Sequence, residues 1–284
     1  MHKGLVGLVL LAVAVGFAWA DVAMGQAHAG RWMGRAAGDP PLAETLFSFI
    51  VFGPLLLAGL IGGAIEGRNA AAPGRRPGVV LLVGLATGAA GLSVAVVFAR
   101  LAGVLTDGAG SGSSRLFWGA VVVALQVMAE EVYFRGWLQP ALIRRWGWWP
   151  GLVAGALAFA ALHVAGGARA PVSLLNLFLG GLMFGLFAAR SGGIAAAVGA
   201  HWAWNAAEQL VWGLDPNPGV GPFGSLLDKD LVGRALWGGS ADGLNGGVGM
   251  TVALLAILLP LLALGRGEPS GPRVRTFSPS GSPG

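Results

Sequence analysis

The side chains best suited to chemistry in this sequence are charged groups set among apolar residues. Glu130 and Glu131 end an apolar run that begins at Leu116, and Arg135 follows four residues after Glu131. An ionised side chain inside hydrocarbon costs about 2.5 to 3.5 kcal/mol even on the lenient insertion scale. Two adjacent carboxylates at such a position therefore indicate that they pair with other polar side chains of the protein or that they serve its function.

Two of the four histidines also lie in apolar stretches. Residues four apart share one face of an α-helix, so His163 shares a face with Phe159, and His201 shares a face with Asn205. A single histidine inside a membrane commonly packs and hydrogen-bonds to a neighbouring helix. Two of them beside a glutamate pair form a candidate site.

Adjacent glutamates on a helix point about 100° apart, so Glu130 and Glu131 cannot face one site in the same way. Glu131 and Arg135 share a helix face, so Glu131 can pair with Arg135 while Glu130 faces a reaction centre. The alternative is an interfacial salt bridge between Glu131 and Arg135 at the inner membrane surface. The spacing alone favours neither interpretation.

The composition is that of a membrane protein. Of 284 residues, 55% are hydrophobic and 11% are charged, and the mean hydropathy is +0.71, whereas soluble domains carry about 25% charged residues. The 50 glycines indicate helices packed closely through small residues. The absence of cysteine excludes disulfides and thiol chemistry. Because the basic residues are spread over many loops, they indicate membrane topology and no nucleic-acid partner.

Eight stretches approach the length of about 20 apolar residues that a spanning helix needs. They are residues 4–20, 45–65, 78–99, 116–132, 148–165, 172–189, 192–213 and 247–265. The sequence therefore predicts an all-α fold, a polytopic transmembrane helical bundle of about eight spans.

The distribution of Lys and Arg among the loops predicts that both termini are cytoplasmic. We expect the chain to lie in the inner membrane of a bacterial cell. The first span has a rival interpretation as a signal peptide cleaved before Asp21. We expect it to be retained, because an even number of spans satisfies the charge bias. Residues 267–284, mostly Pro, Ser, Gly and Arg, are expected to form a disordered cytoplasmic tail.

With these boundaries, Glu130 lies near the inner end of the span at 116–132 and His163 lies near the outer end of the span at 148–165. The two side chains could not then meet. The simplest solution is a fourth helix that continues past Val132 toward Pro140. This extension would move the glutamates to the middle of the membrane and Arg135 into the bundle.

Three motifs lie on successive predicted helices: Glu-Glu-x-x-x-Arg at 130–135, Phe-x-x-x-His at 159–163 and His-x-x-x-Asn at 201–205. Together they resemble the CPBP intramembrane metalloproteases, a family that includes type II CAAX prenyl endopeptidases and bacteriocin-processing relatives. The resemblance covers about 116–210. On this basis 1–115 holds N-terminal transmembrane helices, 116–210 the catalytic core, and 211–266 an outer loop and the last transmembrane helix.

The resemblance implies hydrolysis of peptide bonds in a membrane-associated protein or peptide substrate. Glu130 and His163 would hold and activate the attacking water, with Glu130 as general base, and His201 and Asn205 would stabilise the oxyanion. The supporting residues would be Glu131, Arg135 and Phe159.

The family name also implies a metal. Glu130, His163 and His201 could form a zinc site of two histidines and one carboxylate with an open water position. However, one carboxylate does not readily serve both as a tight ligand and as general base, and the sequence lacks a His-Glu-x-x-His helix. The sequence therefore leaves zinc open.

Two other functions are compatible with these residues: a non-catalytic membrane scaffold of the same fold, and a proton-coupled transporter. No internal repeat is evident, which weighs against the transporter. Among the remaining polar residues, we expect Glu208 at the outer boundary near Trp212, Tyr133 as an interfacial anchor and Asn176 in an interhelical hydrogen bond. We expect 136–147 to be partly an interfacial amphipathic helix and 215–246 to be a solvated loop rather than a lid.

Overall fold

The computed structural model describes residues 2–36, 38–108, 115–215 and 221–264. The predicted disordered tail, 267–284, lies outside these ranges. In the described part, helices account for most of the chain. The chain is an all-α polytopic bundle, as the composition predicts.

A helix occurs at each of the eight predicted spans. They are α1 (His2–Met33), α2 (Pro40–Ile65), α3 (Pro77–Leu101), α4 (Leu116–Glu130), α5 (Gln139–Trp146), α6 (Trp148–Ala165), α7 (Pro171–Ser191), α8 (Ala195–Ala206) and α9 (Val248–Ala263). Two π-helical segments, Glu131–Leu138 and Ala207–Trp212, join α4 to α5 and extend α8. Short 3₁₀ turns lie at Gly34–Ala36, Ala235–Trp237 and Gly243–Gly246.

Six of these helical stretches are long and apolar enough to cross a membrane, counting Leu116–Trp146 as one. Two predicted spans are helical but fall outside this set: α9 has 16 residues, and α8 has 12 residues followed by its π-helical extension to Trp212. Large apolar side chains such as Leu82 and Phe117 are exposed on the outside of the bundle. A surface of this kind is stable in lipid, so these features indicate an integral membrane protein.

Proline and glycine set the limits of several helices. Proline opens α2, α3 and α7, where its missing N–H costs no hydrogen bond. Gly192 ends α7 with a φ of 73°, in the left-handed region that side chains disfavour. The sequence therefore encodes the sharp reversal into α8, which carries part of the candidate site.

The C-terminal ends of α2, α5 and α7 and the N-terminal end of α3 lie together at one end of the bundle, which is rich in arginine. There the carboxylate of Glu66 accepts from Arg145 at 2.7 Å and from Arg144 at 2.5 Å. The guanidinium of Arg75 donates to the carbonyl of Arg190 at 3.0 Å. The hydrogen bond from Arg145 is the main cause that holds the pKa of Glu66 below its usual value. This concentration of arginine matches the charge bias that predicts a cytoplasmic side.

The opposite end carries a small sheet instead of a solvated loop. Strands β1 (Leu105–Asp107), β2 (Leu214–Asp215) and β3 (Lys229–Leu231) lie in the order β1-β3-β2. The β1–β3 pair is antiparallel and the β2–β3 pair is parallel. Leu214, Leu231 and Leu244 are buried in the apolar core. For the described residues of 215–246, the expectation of a solvated loop is therefore wrong.

Glycine allows α3 and α8 to pack with their backbones almost in contact. A Cβ added at Gly88 would lie 2.1 Å from the carbonyl oxygen of Ala200, and one at Gly84 would lie 2.3 Å from that of Ala196. No side chain fits at either position. Because Ala200 directly precedes His201, this contact fixes the height and rotation of a candidate site residue.

Candidate active site

One continuous helix carries the glutamate doublet. The chain stays helical from Leu116 to Trp146, so the extension past Val132 is confirmed and the end predicted at 132 is wrong. Glu130 closes α4 and Glu131 opens the π-helical segment, a distortion that is frequent at functional sites. Residues 139–146 continue this helix as α5, with Ala141 and Leu142 buried and Arg144 exposed, so the helix expected within 136–147 is present and amphipathic, and its place at the membrane interface stays a prediction.

Glu131 and Arg135 form an ion pair inside the bundle. Arg135 Nη1 donates to Glu131 Oε1 at 2.9 Å, and the two side chains are 1% and 0% exposed. Arg135 also donates to the carbonyl of Gly181 at 3.3 Å, and its guanidinium lies 4.2 Å from the ring centroid of Phe159. The alternative of a salt bridge at the membrane surface is therefore wrong.

His201 lies between the two glutamates. Its Nδ1 is 2.9 Å from Glu131 Oε1, and its Nε2 is 3.6 Å from Glu130 Oε2. A carboxylate only accepts hydrogen bonds, so Nδ1 carries the proton in the contact with Glu131. The ring also stacks on Phe184 at a centroid distance of 4.5 Å. Neither the second partner of Glu131 nor the role of Phe184 is visible in the sequence spacing.

His163 is oriented by its own helix. Its Nδ1 lies 2.9 Å from the carbonyl oxygen of Phe159, which can only accept. In the neutral imidazole this leaves Nε2 with a free lone pair. The Phe159 ring packs against the rings of His163 and His201 at 4.6 and 5.9 Å. Phe159 thus supports both histidines and Arg135.

A cavity of about 250 Å³ brings the candidate residues together. Glu130 from α4, His163 from α6, and His201 and Asn205 from α8 all line it. Glu131 and Arg135 lie behind this wall and contact the cavity residues without lining the cavity themselves. The other lining residues are Phe52, Gln126, Val127, Phe159, Asn176, Leu177, Gly180, Phe184, Trp204, Glu208, Gln209, Asn245, Met250 and Leu254.

Comparison with known proteins gives a family for this part of the chain. Residues 112–207 match the family described as Type II CAAX prenyl endopeptidase Rce1-like. This match supports membership of the CPBP family. At the family level it supports a CAAX-type intramembrane protease with a membrane-associated protein substrate. No curated protein and no solved structure matches the chain.

The cavity also contains polar residues outside the CPBP motifs. Glu208 is 6% exposed and lines the cavity, so its expected position at the outer boundary is wrong. Its spacing of seven residues from His201 is the sequence signal for a shared helix face. Asn176 donates to the carbonyls of Asn245 and Gly247 at 2.8 and 3.1 Å, and it accepts from Thr251 of α9 at 2.7 Å, which is the expected interhelical hydrogen bond.

Tyr133 is fully buried, so the expectation of an interfacial anchor is wrong. Its hydroxyl donates to the carbonyl of Ala14 at 2.7 Å. Its ring lies 6.3 Å from that of Phe17. The only tyrosine of the chain therefore joins α1 to the helix that carries the CPBP glutamates.

The three candidate ligands of the metal implied by the CPBP family name are not drawn together into a preformed metal site. Within the described residues, the side chains grouped closely enough for a metal, with ligand atoms within 4.8 Å of one another, are Asp215, Asp228 and Asp230. Glu130, His163 and His201 are not such a group. We therefore derive no catalytic step through a metal, and zinc at these residues stays a prediction.

Proposed function

We propose that this chain is an intramembrane endopeptidase that hydrolyses peptide bonds of a membrane-associated protein or peptide with an activated water. The observation that carries the proposal is the meeting of Glu130, His163, His201 and Asn205 from three helices around one cavity. This cavity, of about 250 Å³, is the proposed place of the scissile bond and the water molecule. The family match supports the same reaction class.

Glu130 and His163 are the groups proposed to activate water. Both line the cavity, and Nε2 of neutral His163 can accept a hydrogen bond because Nδ1 donates to Phe159. A water held between them loses a proton to Glu130 as its oxygen attacks the scissile carbonyl carbon. Glu130 then returns this proton to the leaving amine as the C–N bond breaks.

His201 and Asn205 are the groups proposed to stabilise the oxyanion. The side-chain amide of Asn205 can donate directly. Nδ1 of His201 is committed to Glu131, so donation from Nε2 requires the doubly protonated imidazolium. Such preorganised donors act on charge that develops in the transition state, which makes their contribution large.

Glu131 and Arg135 are proposed as positioning residues. Glu131 holds the His201 ring in one orientation through the 2.9 Å contact, and Arg135 holds Glu131. A buried carboxylate that orients a catalytic histidine serves the same purpose in other hydrolases. Neither residue touches the substrate in this proposal.

Water is proposed as the nucleophile because the cavity offers no usual side-chain nucleophile. Among the described residues that line it, none is Ser, Thr, Cys or Lys. A covalent acyl-enzyme is therefore not part of the proposal.

We also propose that both termini lie in the cytoplasm of a bacterial cell, with the basic end of the bundle facing inward.

The test compares membrane-associated peptides of cells that produce the wild type, Glu130→Gln or His163→Ala. We expect the products made by the wild type to be absent with either variant. His28→Ala, a histidine change in α1 away from the cavity, is the matched control and should preserve them. If processing survives both site variants, the protease proposal fails. If solute or proton flux is lost instead, the transporter gains support.

A further inference from the structure

The candidate cavity contains a second carboxyl group that the proposed mechanism does not use. Glu208 lies in the π-helical segment that extends α8, is 6% exposed, and lines the cavity with Glu130. Its Oε1 is buried and has no hydrogen-bond partner among the described residues. Ionising a buried carboxyl group without a partner is costly, and a cation that enters the cavity from outside the chain would offset this cost.

The lining of the cavity indicates the charge of that partner. Its described residues include Glu130 and Glu208 but no Lys or Arg. Arg135, the arginine of the Glu-Glu-x-x-x-Arg motif, is paired with Glu131 at 2.9 Å. His201 Nε2 faces Glu130 at 3.6 Å, whereas no Lys or Arg among the described lining residues balances Glu208.

A neighbouring cavity is also lined by a glutamate and by no described Lys or Arg. It has a volume of about 240 Å³ and shares the walls formed by Gln126 and Gln209. It also contains Glu44 of α2, and no Lys or Arg is among its described lining residues. The described lining of the two cavities together contains three glutamates, Glu44, Glu130 and Glu208, and no Lys or Arg.

We infer that Glu208 binds a positively charged group of the substrate, the side chain of a Lys or Arg near the scissile bond. This inference rests on the proposed peptidase function and adds a specificity determinant to it. Glu208 follows His201 by seven residues, about 10 Å along a helix. An extended peptide advances about 3.3 Å per residue, so the basic residue lies about three positions from the scissile bond.

Binding is the first test, because it does not depend on catalysis. The probes are short fluorescent palmitoylated peptides in detergent micelles, identical except for Lys or Gln at one scanned position. In the Glu130→Gln background we expect tighter binding of the Lys peptide at one position, by about 30-fold or more. Adding Glu208→Gln should remove this preference, while Glu208→Asp should retain part of it.

Glu66→Gln is the matched control, since it makes the same chemical change at the basic end of the bundle. It should leave the ratio of Lys to Gln binding unchanged. Equal binding of the two peptides at every position, or a preference that survives Glu208→Gln, would overturn the inference. Melting temperatures of all variants in the same detergent show whether each one is folded.

Cleavage of the same peptides, followed by mass spectrometry, separates this inference from the proposed function. If the wild type cleaves nothing, the peptidase proposal fails, whereas the binding ratio still decides the role of Glu208. If the wild type cleaves Lys and Gln peptides equally well, the specificity role fails and the peptidase proposal stands. Cleavage biased toward Lys in the wild type and unbiased in Glu208→Gln supports both.

Discussion

One oxygen of Glu131 accepts from two partners: it lies 2.9 Å from His201 Nδ1 and 2.9 Å from Arg135 Nη1. The other oxygen, Oε2, has no hydrogen-bond partner among the described residues. The orientation of His201 is therefore coupled to the Arg135 ion pair through a single atom. This relationship makes Glu131 the centre of the site even though it does not line the cavity.

Glu131→Gln should lower kcat far more than it changes KM. The variant removes the charge that orients His201 but leaves the cavity wall intact. By analogy with the orienting carboxylate of serine proteases, we expect kcat to fall by roughly 10³- to 10⁴-fold. Steady-state cleavage of one peptide by wild type and variant provides the measurement. An unchanged kcat in folded Glu131→Gln would show that the contact has no positioning role.

Arg135→Ala should destabilise the fold strongly, because it leaves the carboxylate of Glu131 buried without its cation. Breaking a buried ion pair in this way costs about 3–5 kcal/mol. Arg135→Lys keeps the charge but loses the planar packing against Phe159, so an intermediate loss is expected. Unfolding in detergent, followed by temperature or denaturant, measures both variants.

The double variant Arg135→Ala with Glu131→Gln provides the control for this pair. Removing both charges should cost less than the sum of the two single changes, because the double variant leaves no buried charge without a partner. Strictly additive losses would show that the two side chains do not interact in the membrane.

Gly88→Ala should separate α3 from α8. The added Cβ would lie 2.1 Å from the carbonyl oxygen of Ala200, and backbone cannot move aside as a side chain can. Overpacking of this kind costs about 1–3 kcal/mol, and displacement of His201 should also reduce cleavage.

Gly16→Ala is the matched control for this change. A Cβ at Gly16 in α1 would meet nothing within 4 Å, so the variant should be as stable as the wild type or slightly more stable. Thermal unfolding and the cleavage rate of both variants test the prediction. Equal behaviour of Gly88→Ala and Gly16→Ala would contradict the close packing.

The Glu66 cluster should contribute stability that depends on pH. Hydrogen bonds from Arg145 and Arg144 lower the pKa of Glu66 in the folded protein below its value of about 4.3 in the unfolded chain. A lowered folded-state pKa stabilises the protein above the unfolded value, and this contribution is lost as the pH falls through the folded-state pKa.

Comparing the wild type with Glu66→Gln between neutral pH and about pH 3 isolates this contribution, because the neutral amide does not titrate. Since the pair is near the surface, we expect a difference of at most about 1 kcal/mol at neutral pH. The difference should shrink at the acidic end. A gap that grows on acidification would contradict the assignment.

The class of the protein and the grouping of its motifs could be predicted from the sequence. Apolar content and the length of apolar runs are local properties, so they predicted a helix at each of the eight spans, and α5 continues the fourth of these. Spacing by four residues predicted the Glu131–Arg135 pair, because helix geometry places such side chains together. The need for Glu130 and His163 to meet predicted that the fourth helix continues past Val132.

Contacts between distant parts of the chain required the tertiary structure. The bond from Tyr133 to Ala14 spans 119 positions, and the contact between Glu131 and His201 spans 70. The place of Glu208 in the cavity and the separation of the three proposed zinc ligands also depend on how the helices rotate against one another. Periodicity shows which residues share a helix face, whereas packing between helices decides what each face meets. At α8 that packing depends on Gly84 and Gly88, which bring its backbone against α3 and place His201 beside the glutamates.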